Sequence, residues 1–149
     1  MKRSLVNLSA WFLLFSLVSP VAQAKCEVDS PYWRNMMHSW QGACVNGKAE
    51  GKGIVKIYPS SRTTTDLFLG EMKHGLPVFG VYEGAEGFYA GSFQQGQIVA
   101  DQDRNQLIQA FQLAAEIALS YSRELKQQGN ELSARFYESK ARQLRQQMD

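Results

Sequence analysis

Three short segments share one pattern: Trp40-Gln41-Gly42-Ala43-Cys44, Phe68-Leu69-Gly70-Glu71-Met72 and Tyr89-Ala90-Gly91-Ser92-Phe93. Each reads aromatic, any residue, glycine, any residue, large residue. Each then runs into a two-residue turn candidate: Asn46-Gly47, His74-Gly75 and Gln95-Gly96. In a strand, residues i, i+2 and i+4 point to one face. The pattern therefore sets an aromatic, a gap and a second large side chain in line on one face. Interior strand glycines mark places where another group comes close, and a neighbouring ring can fill such a gap. Asn-Gly is the strongest short signal for a tight hairpin; the other two pairs hold the same place with weaker turn chemistry. The pattern predicts a glycine-rich antiparallel sheet of hairpins over residues 40–100.

One of these glycines also reads as part of a phosphate loop. Gly42, Gly47 and Lys48 spell G-x-x-x-x-G-K. That loop requires Ser or Thr after the lysine and a buried strand before the first glycine. Here Ala49 follows Lys48, and Met37-His38-Ser39-Trp40-Gln41 precedes Gly42. Gly47 is read as a turn glycine and Gly42 as a packing glycine.

The three segments closely resemble the MORN repeat, roughly Y-x-G-x-[WF]-x-x-G-x-x-x-G-x-G. In the first, Trp40, Gly42, Gly47, Gly51 and Gly53 fall in place, with Cys44 where an aromatic is usual. The second supplies Phe68, Gly70, Met72, Gly75 and Gly80 with one residue deleted, and the third supplies Tyr89, Gly91, Phe93 and Gly96 before it stops. The starts lie 28 and 21 residues apart, the longer step holding the polar insert PSSRTTTD, residues 59–66. The resemblance covers about residues 40–98. It implies a role in protein–protein or membrane-proximal organisation, with lipid binding as a further expectation.

The start of the chain places this sheet in a compartment. Lys2 and Arg3 precede an apolar stretch densest over Trp11–Val18, then Pro20 and the small-x-small triplet Ala22-Gln23-Ala24. This is the form of a secretory signal peptide over residues 1–24, with cleavage before Lys25; the apolar stretch is short for a span. Export to a bacterial periplasm is the expectation. Lys2 and Arg3 are two of the 16 basic residues, so the chain from Lys25 carries 14 of each sign. A net charge of zero gives no electrostatic case for nucleic acid. Cys26 and Cys44 are an even pair in an exported chain, which predicts a disulfide. A metal site would need more ligands than Cys26, Cys44, His38 and His74 supply, so neither metal nor cofactor is expected.

Between Lys25 and the sheet, Ser30-Pro31 reads as an N-cap and first helical position. Trp33, Met36, Met37 and Trp40 then recur at helical spacing, predicting a short helix over about 31–39 that lays Trp33 and a methionine on the end of the sheet. Beyond Asp101 the composition changes. Residues 102–149 hold one glycine and no proline. Leu107, Phe111, Ala114, Ala118, Tyr121 and Leu125 form one stripe, and Ala134, Tyr137, Ala141, Leu144 and Met148 another, with Gly129-Asn130 between them. The reading is a two-helix antiparallel hairpin over 101–149. Gly129, Ala134, Tyr137 and Ala141 are similar to half a tetratricopeptide unit, with Tyr137 one place off. The whole is an α+β chain, sheet first and helices last.

Ile108, Ala115, Leu119, Leu132 and Phe136 lie off the main stripes. This surplus predicts helices covered on more than one side: mostly by the sheet, with the remainder open as an interaction or self-association face. His38 and His74 have no nucleophile near them in sequence, and Glu83 and Glu86 flank a turn and are read as solvated. No catalytic residue is assigned. The expected function is an exported, non-catalytic binding or scaffold protein with an envelope protein as partner. The alternative is a small enzyme or carbohydrate-binding module that stacks sugars on Tyr58, Tyr82, Phe88 and Tyr89.

Overall fold

A computed structural model describes residues 25–149; the signal-peptide reading of residues 1–24 lies outside them. Six strands form one open sheet in chain order, each antiparallel to the next. They are β1 (Met37–Val45), β2 (Lys48–Tyr58), β3 (Asp66–Lys73), β4 (Leu76–Gly84), β5 (Gly87–Gln94) and β6 (Gln97–Ile98). Two helices follow, α1 (Arg104–Gln127) and α2 (Glu131–Gln146).

The three predicted turns are alike. Asn46, His74 and Gln95 have φ of 50°, 51° and 50°, and the glycines after them 76°, 83° and 78°. Two consecutive positive φ values make the tight hairpin whose twist matches that of the strands. Asn46 adopts this conformation readily, whereas His74 and Gln95 adopt it at a cost. Part of that cost is offset by contacts the turns make. The chain from Cys26 to Pro31 runs across all three. Glu27 donates its N–H to the Gly47 carbonyl (2.7 Å) and accepts from Ala49 (2.9 Å). Asp29 donates to the Gly75 carbonyl (2.8 Å), and Gly75 donates to Ala49 (2.9 Å). Pro31 and Ser30 lie against Gly96. Glu50 accepts from the His74 N–H at 2.8 Å. The Cys26–Cys44 disulfide fixes the start of this strap, with Cα atoms 5.7 Å apart.

Register explains the repeated glycines. Gly53 pairs with Gly70, Gly70 with Gly80 and Gly80 with Gly91, so four glycines form one row across β2–β5. The row beside it is Trp40, Val55, Phe68, Tyr82 and Tyr89, also in register. The Trp40 ring lies where side chains on Gly42 and Gly53 would stand, and the Phe68 ring where one on Gly70 would stand. Gly91 differs from the expectation: the amide of Gln102, not a ring, fills its gap.

The sheet has two covered faces. On one, Ile54, Leu67, Leu69 and Val81 meet Ala110, Phe111, Ala114 and Ala118 of α1. On the other, Val55, Ile57, Phe68, Met72 and Phe93 meet Val28 and Trp33 from the N-terminal strap. The helical hairpin falls where its stripes place it. Asp103 and Asn130 cap the two helices through their side chains, as short polar residues do at N-termini. Ser122 donates to the Ala134 carbonyl at 2.7 Å between the helices. Lys140 of α2, nearly buried, donates to both carboxylate oxygens of Glu83 on β4 at 2.8 and 2.7 Å. Lys56 of β2 stands 5.6 and 5.7 Å from the rings of Tyr121 and Tyr137.

Three expectations change. The helix over 31–39 is a single turn, closed by the Trp33 and Arg34 N–H groups on the Ser30 carbonyl (3.0 and 2.9 Å). From Met37 the chain is already β1, because pairing with β2 satisfies every other backbone group where a short helix would leave most unsatisfied. Glu83 is not solvated, being paired with Lys140. Of the off-stripe residues, Ala115 is buried, Ile108 and Leu119 are half-buried, and only Leu132 and Phe136 are open, at 80% and 51% exposure.

Candidate functional site

The strap covers the second sheet face only in part. Beside Trp33 a groove of about 330 Å³ remains, lined by Tyr32, Trp33, Met36, Tyr82, Tyr89, Phe93 and Ile98. Its floor follows from the repeat: Tyr82, Tyr89 and Phe93 are on the face that the aromatic-x-Gly-x-large pattern sets toward one side. Its wall follows from the single turn at Ser30–Arg34, which buries Trp33 to 2% exposure and leaves Tyr32 outside at 53%. Met36 follows one turn later at 38%.

The rings form a graded series. Trp33 stacks on Tyr82 with centroids 5.9 Å apart and planes at 28°, and Tyr82 is followed by Tyr89 at 6.0 Å and 34°. Beneath them Phe68 meets Trp33 at 5.5 Å and Phe93 edge-on at 5.4 Å. Offset and edge-on pairs at these separations are the favoured aromatic geometries. The floor is thus held by rings packed on rings, and Tyr89 is the most open of the sheet's tyrosines in the groove.

The phenol groups are fixed too. Tyr82 donates to Asp66 Oδ2 at 2.7 Å, and Arg62 pairs with the same oxygen at 2.8 Å. Burial and then the Asp66 carboxylate push the Tyr82 phenol well above the usual tyrosine range. Tyr89 donates to Glu86 Oε2 at 3.1 Å, and that carboxylate raises the Tyr89 phenol as well. Both phenols therefore stay neutral at any physiological pH. Both donor hydrogens are committed to carboxylates, and the surface that faces the groove is mostly carbon.

The sheet tyrosines singled out from the sequence do not form one platform. Tyr82 and Tyr89 share the groove. Phe88 is on the opposite face, edge-on to Phe111 of α1 at 5.7 Å. Tyr58 is also on the helix side, near Lys56, Phe136 and Tyr137. Strand alternation decides this, since residues of adjacent parity cannot share a face. His38 sits on β1 with its Nδ1 2.9 Å from the Met36 carbonyl, and His74 sits in a turn beside Glu50; neither lines the groove. Tyr32 and Ile98 were not legible as site residues, because each acquires its place only through the strap and the last hairpin.

The chain matches no protein-family model, no curated protein and no solved structure. The groove is therefore read from its own chemistry.

Proposed function

We propose that this chain is an exported, non-catalytic binding protein of the MORN-repeat type, and that its groove takes apolar side chains of an envelope protein partner. The observation that carries the reading is the lining. Seven aromatic, thioether or aliphatic side chains converge on one groove, with no charged side chain among them, and the two phenols donate their hydrogens to carboxylates outside the lining. Small sites of this kind are mostly apolar with a few oriented polar groups. Aromatic residues and methionine are the types enriched where proteins meet, and methionine adapts to varied partners. The three hairpins with identical turns support the MORN resemblance, and the disulfide fits an oxidising compartment.

The carbohydrate reading rests on Tyr82 and Tyr89, neighbouring rings tilted by 34° to each other, as the surface on which a sugar would stack. Sugar recognition also needs polar side chains around the ring to bond the hydroxyls, and this groove offers few. The two readings separate in one experiment. The purified protein is titrated with blocked peptides of alternating leucine and threonine, and in parallel with cello-, chito- and malto-oligosaccharides, following tryptophan fluorescence. Peptide-dependent quenching that disappears in Tyr89→Ser supports the proposal. A response to an oligosaccharide with none to the peptides rejects it.

A further inference from the structure

The two edges of the sheet are built differently. The edge formed by β5 and β6 is capped from Ser92 onward. Strand β6 has two residues, and just beyond it the side-chain amide of Gln102 takes the place of a strand: its Oε1 accepts from the Ser92 N–H and its Nε2 donates to the Ser92 carbonyl at 3.2 Å. Short edge strands and local caps are the usual ways to stop sheets from adding strands. At the other edge, β1 has nine residues, MHSWQGACV, with no charged residue and no proline. Among the described residues nothing pairs with its outer side. The strap crosses the turn at its end and leaves the edge open.

We propose that β1 pairs antiparallel with β1 of a second copy, joining two sheets across a two-fold axis at Gln41. The open row of backbone donors and acceptors calls for an extended chain, and β1 complements itself. Val45 and Lys48 close the tight turn, so the odd residues of β1 face β2 and the even ones bond outward. A register centred on Gln41 uses the whole strand. It sets Trp40 opposite Gly42 and His38 opposite Cys44 as bonded pairs, and Ser39 opposite Ala43 and Met37 opposite Val45 as the pairs between. Met37 and Val45 are the two large apolar side chains of this strand that are open, 78% and 51% exposed. The register brings them together on the same face at both ends of the junction. No like charges meet anywhere along it. A two-fold axis normal to the sheet is the ordinary closed symmetry of a homodimer.

The same arrangement gives a purpose to the bare flank of the sheet. α1 does not reach over β1, and a trough of about 590 Å³ lies between them, floored by Gln41, Gly42 and Gly53 and walled by Glu116, Ile117 and Glu124. Pairing at β1 joins this trough to its copy, between two helical hairpins on one side of a continuous sheet.

Sedimentation of the purified protein from micromolar to near-millimolar concentration tests the pairing. The proposal expects a monomer–dimer equilibrium that Gln41→Lys abolishes, because two lysines would face each other on the axis. Far-ultraviolet dichroism shows whether that variant keeps its fold, as an exposed edge substitution should. The register has its own readout. Residues on the axis in a non-bonded antiparallel pair have Cα atoms about 4.5 Å apart, within reach of a disulfide. Gln41→Cys should therefore cross-link to itself on mild oxidation with Cys26–Cys44 intact by peptide mapping, and Lys73→Cys on β3 should not. A protein that stays monomeric throughout, or a dimer that Gln41→Lys leaves unchanged, overturns the proposal.

Discussion

Trp33 stacks on Tyr82 at 5.9 Å, and this one contact joins the N-terminal strap to the repeat sheet and walls the groove. Removing it and removing an open groove residue should have different effects. Trp33→Ala takes a fully buried ring from the core and should lower stability by about 3–5 kcal/mol. Tyr89→Ser removes a side chain that is 39% exposed and should cost about 1 kcal/mol or less while taking the most open ring from the groove's sheet floor. Urea titration of both variants measures the contrast.

The glycine row predicts a second contrast. A methyl group at Gly70 meets the Phe79 carbonyl and the Gly80 backbone, which cannot move aside. At Gly42 the nearest atoms it meets are those of the half-buried Trp40 side chain, which lies on the edge strand and can swing outward. Gly70→Ala should therefore destabilise by several kcal/mol, as overpacking of a tight interior does. Gly42→Ala should cost about 1 kcal/mol or less. Equal melting temperatures for the two variants would contradict the role given to the row.

These examples show what could be read from the sequence. The aromatic-x-Gly-x-large segments gave the strands, their shared face and their turns, because strand period and turn chemistry are local. The two helices were legible in the same way, from their stripes and the Gly129-Asn130 break. Alignment of Gly53, Gly70, Gly80 and Gly91 depends on register, which an irregularity between Glu71 and Met72 shifts on the way from the β3–β4 turn to the row. The helix expected over 31–39 failed because Met36, Met37 and Trp40 fit helical spacing while backbone pairing with β2 decided the outcome. The groove needs the strap, the last hairpin and the parity of Tyr82, Tyr89 and Phe93 together, so Tyr89 and Phe93 on one face and Trp33 with a methionine over the sheet were visible in sequence, and Tyr32 and Ile98 were not.

The strap should depend on its disulfide. Cys26 and Cys44 are 18 residues apart, and closing a loop of that length stabilises by about 3 kcal/mol in the chain-entropy model. Denaturant unfolding with and without a reductant should differ by that order, and the Cys26→Ser/Cys44→Ser double variant should match the reduced protein.

The anchor of the helical hairpin is also testable. Lys140→Ala leaves the Glu83 carboxylate half-buried without its partner and should cost about 1–3 kcal/mol, discounted for its access to water. Lys140→Ala together with Glu83→Gln should recover part of that loss. A double variant no more stable than the single one would indicate that the pair is not coupled.

High pH should unfold the protein through its tyrosines. Burial raises the phenol of Tyr137 above the ordinary value of 10.0, and burial with Asp66 raises that of Tyr82. In both, the folded state holds its proton more tightly than the unfolded chain does. The associated stability is complete below pH 10 and is lost as pH climbs from there toward the folded values. For Tyr137 the slope is at most about 1.4 kcal/mol per pH unit. Tyr82→Phe should make the alkaline decline in melting temperature shallower, and an unchanged slope would remove Tyr82 from the account.

The most direct test of the groove uses the methionine methyl groups. Met36 is at its rim, Met37 lies outside it on β1, and Met72 is buried beneath the sheet surface. With ¹³C-methyl methionine, titration of a blocked leucine–threonine peptide should move the Met36 resonance to saturation, leave Met37 in place, and lose its effect in Tyr89→Ser. Movement of Met37 or of Met148 in the tail, with Met36 unaffected, would place binding elsewhere and contradict the assignment of the groove.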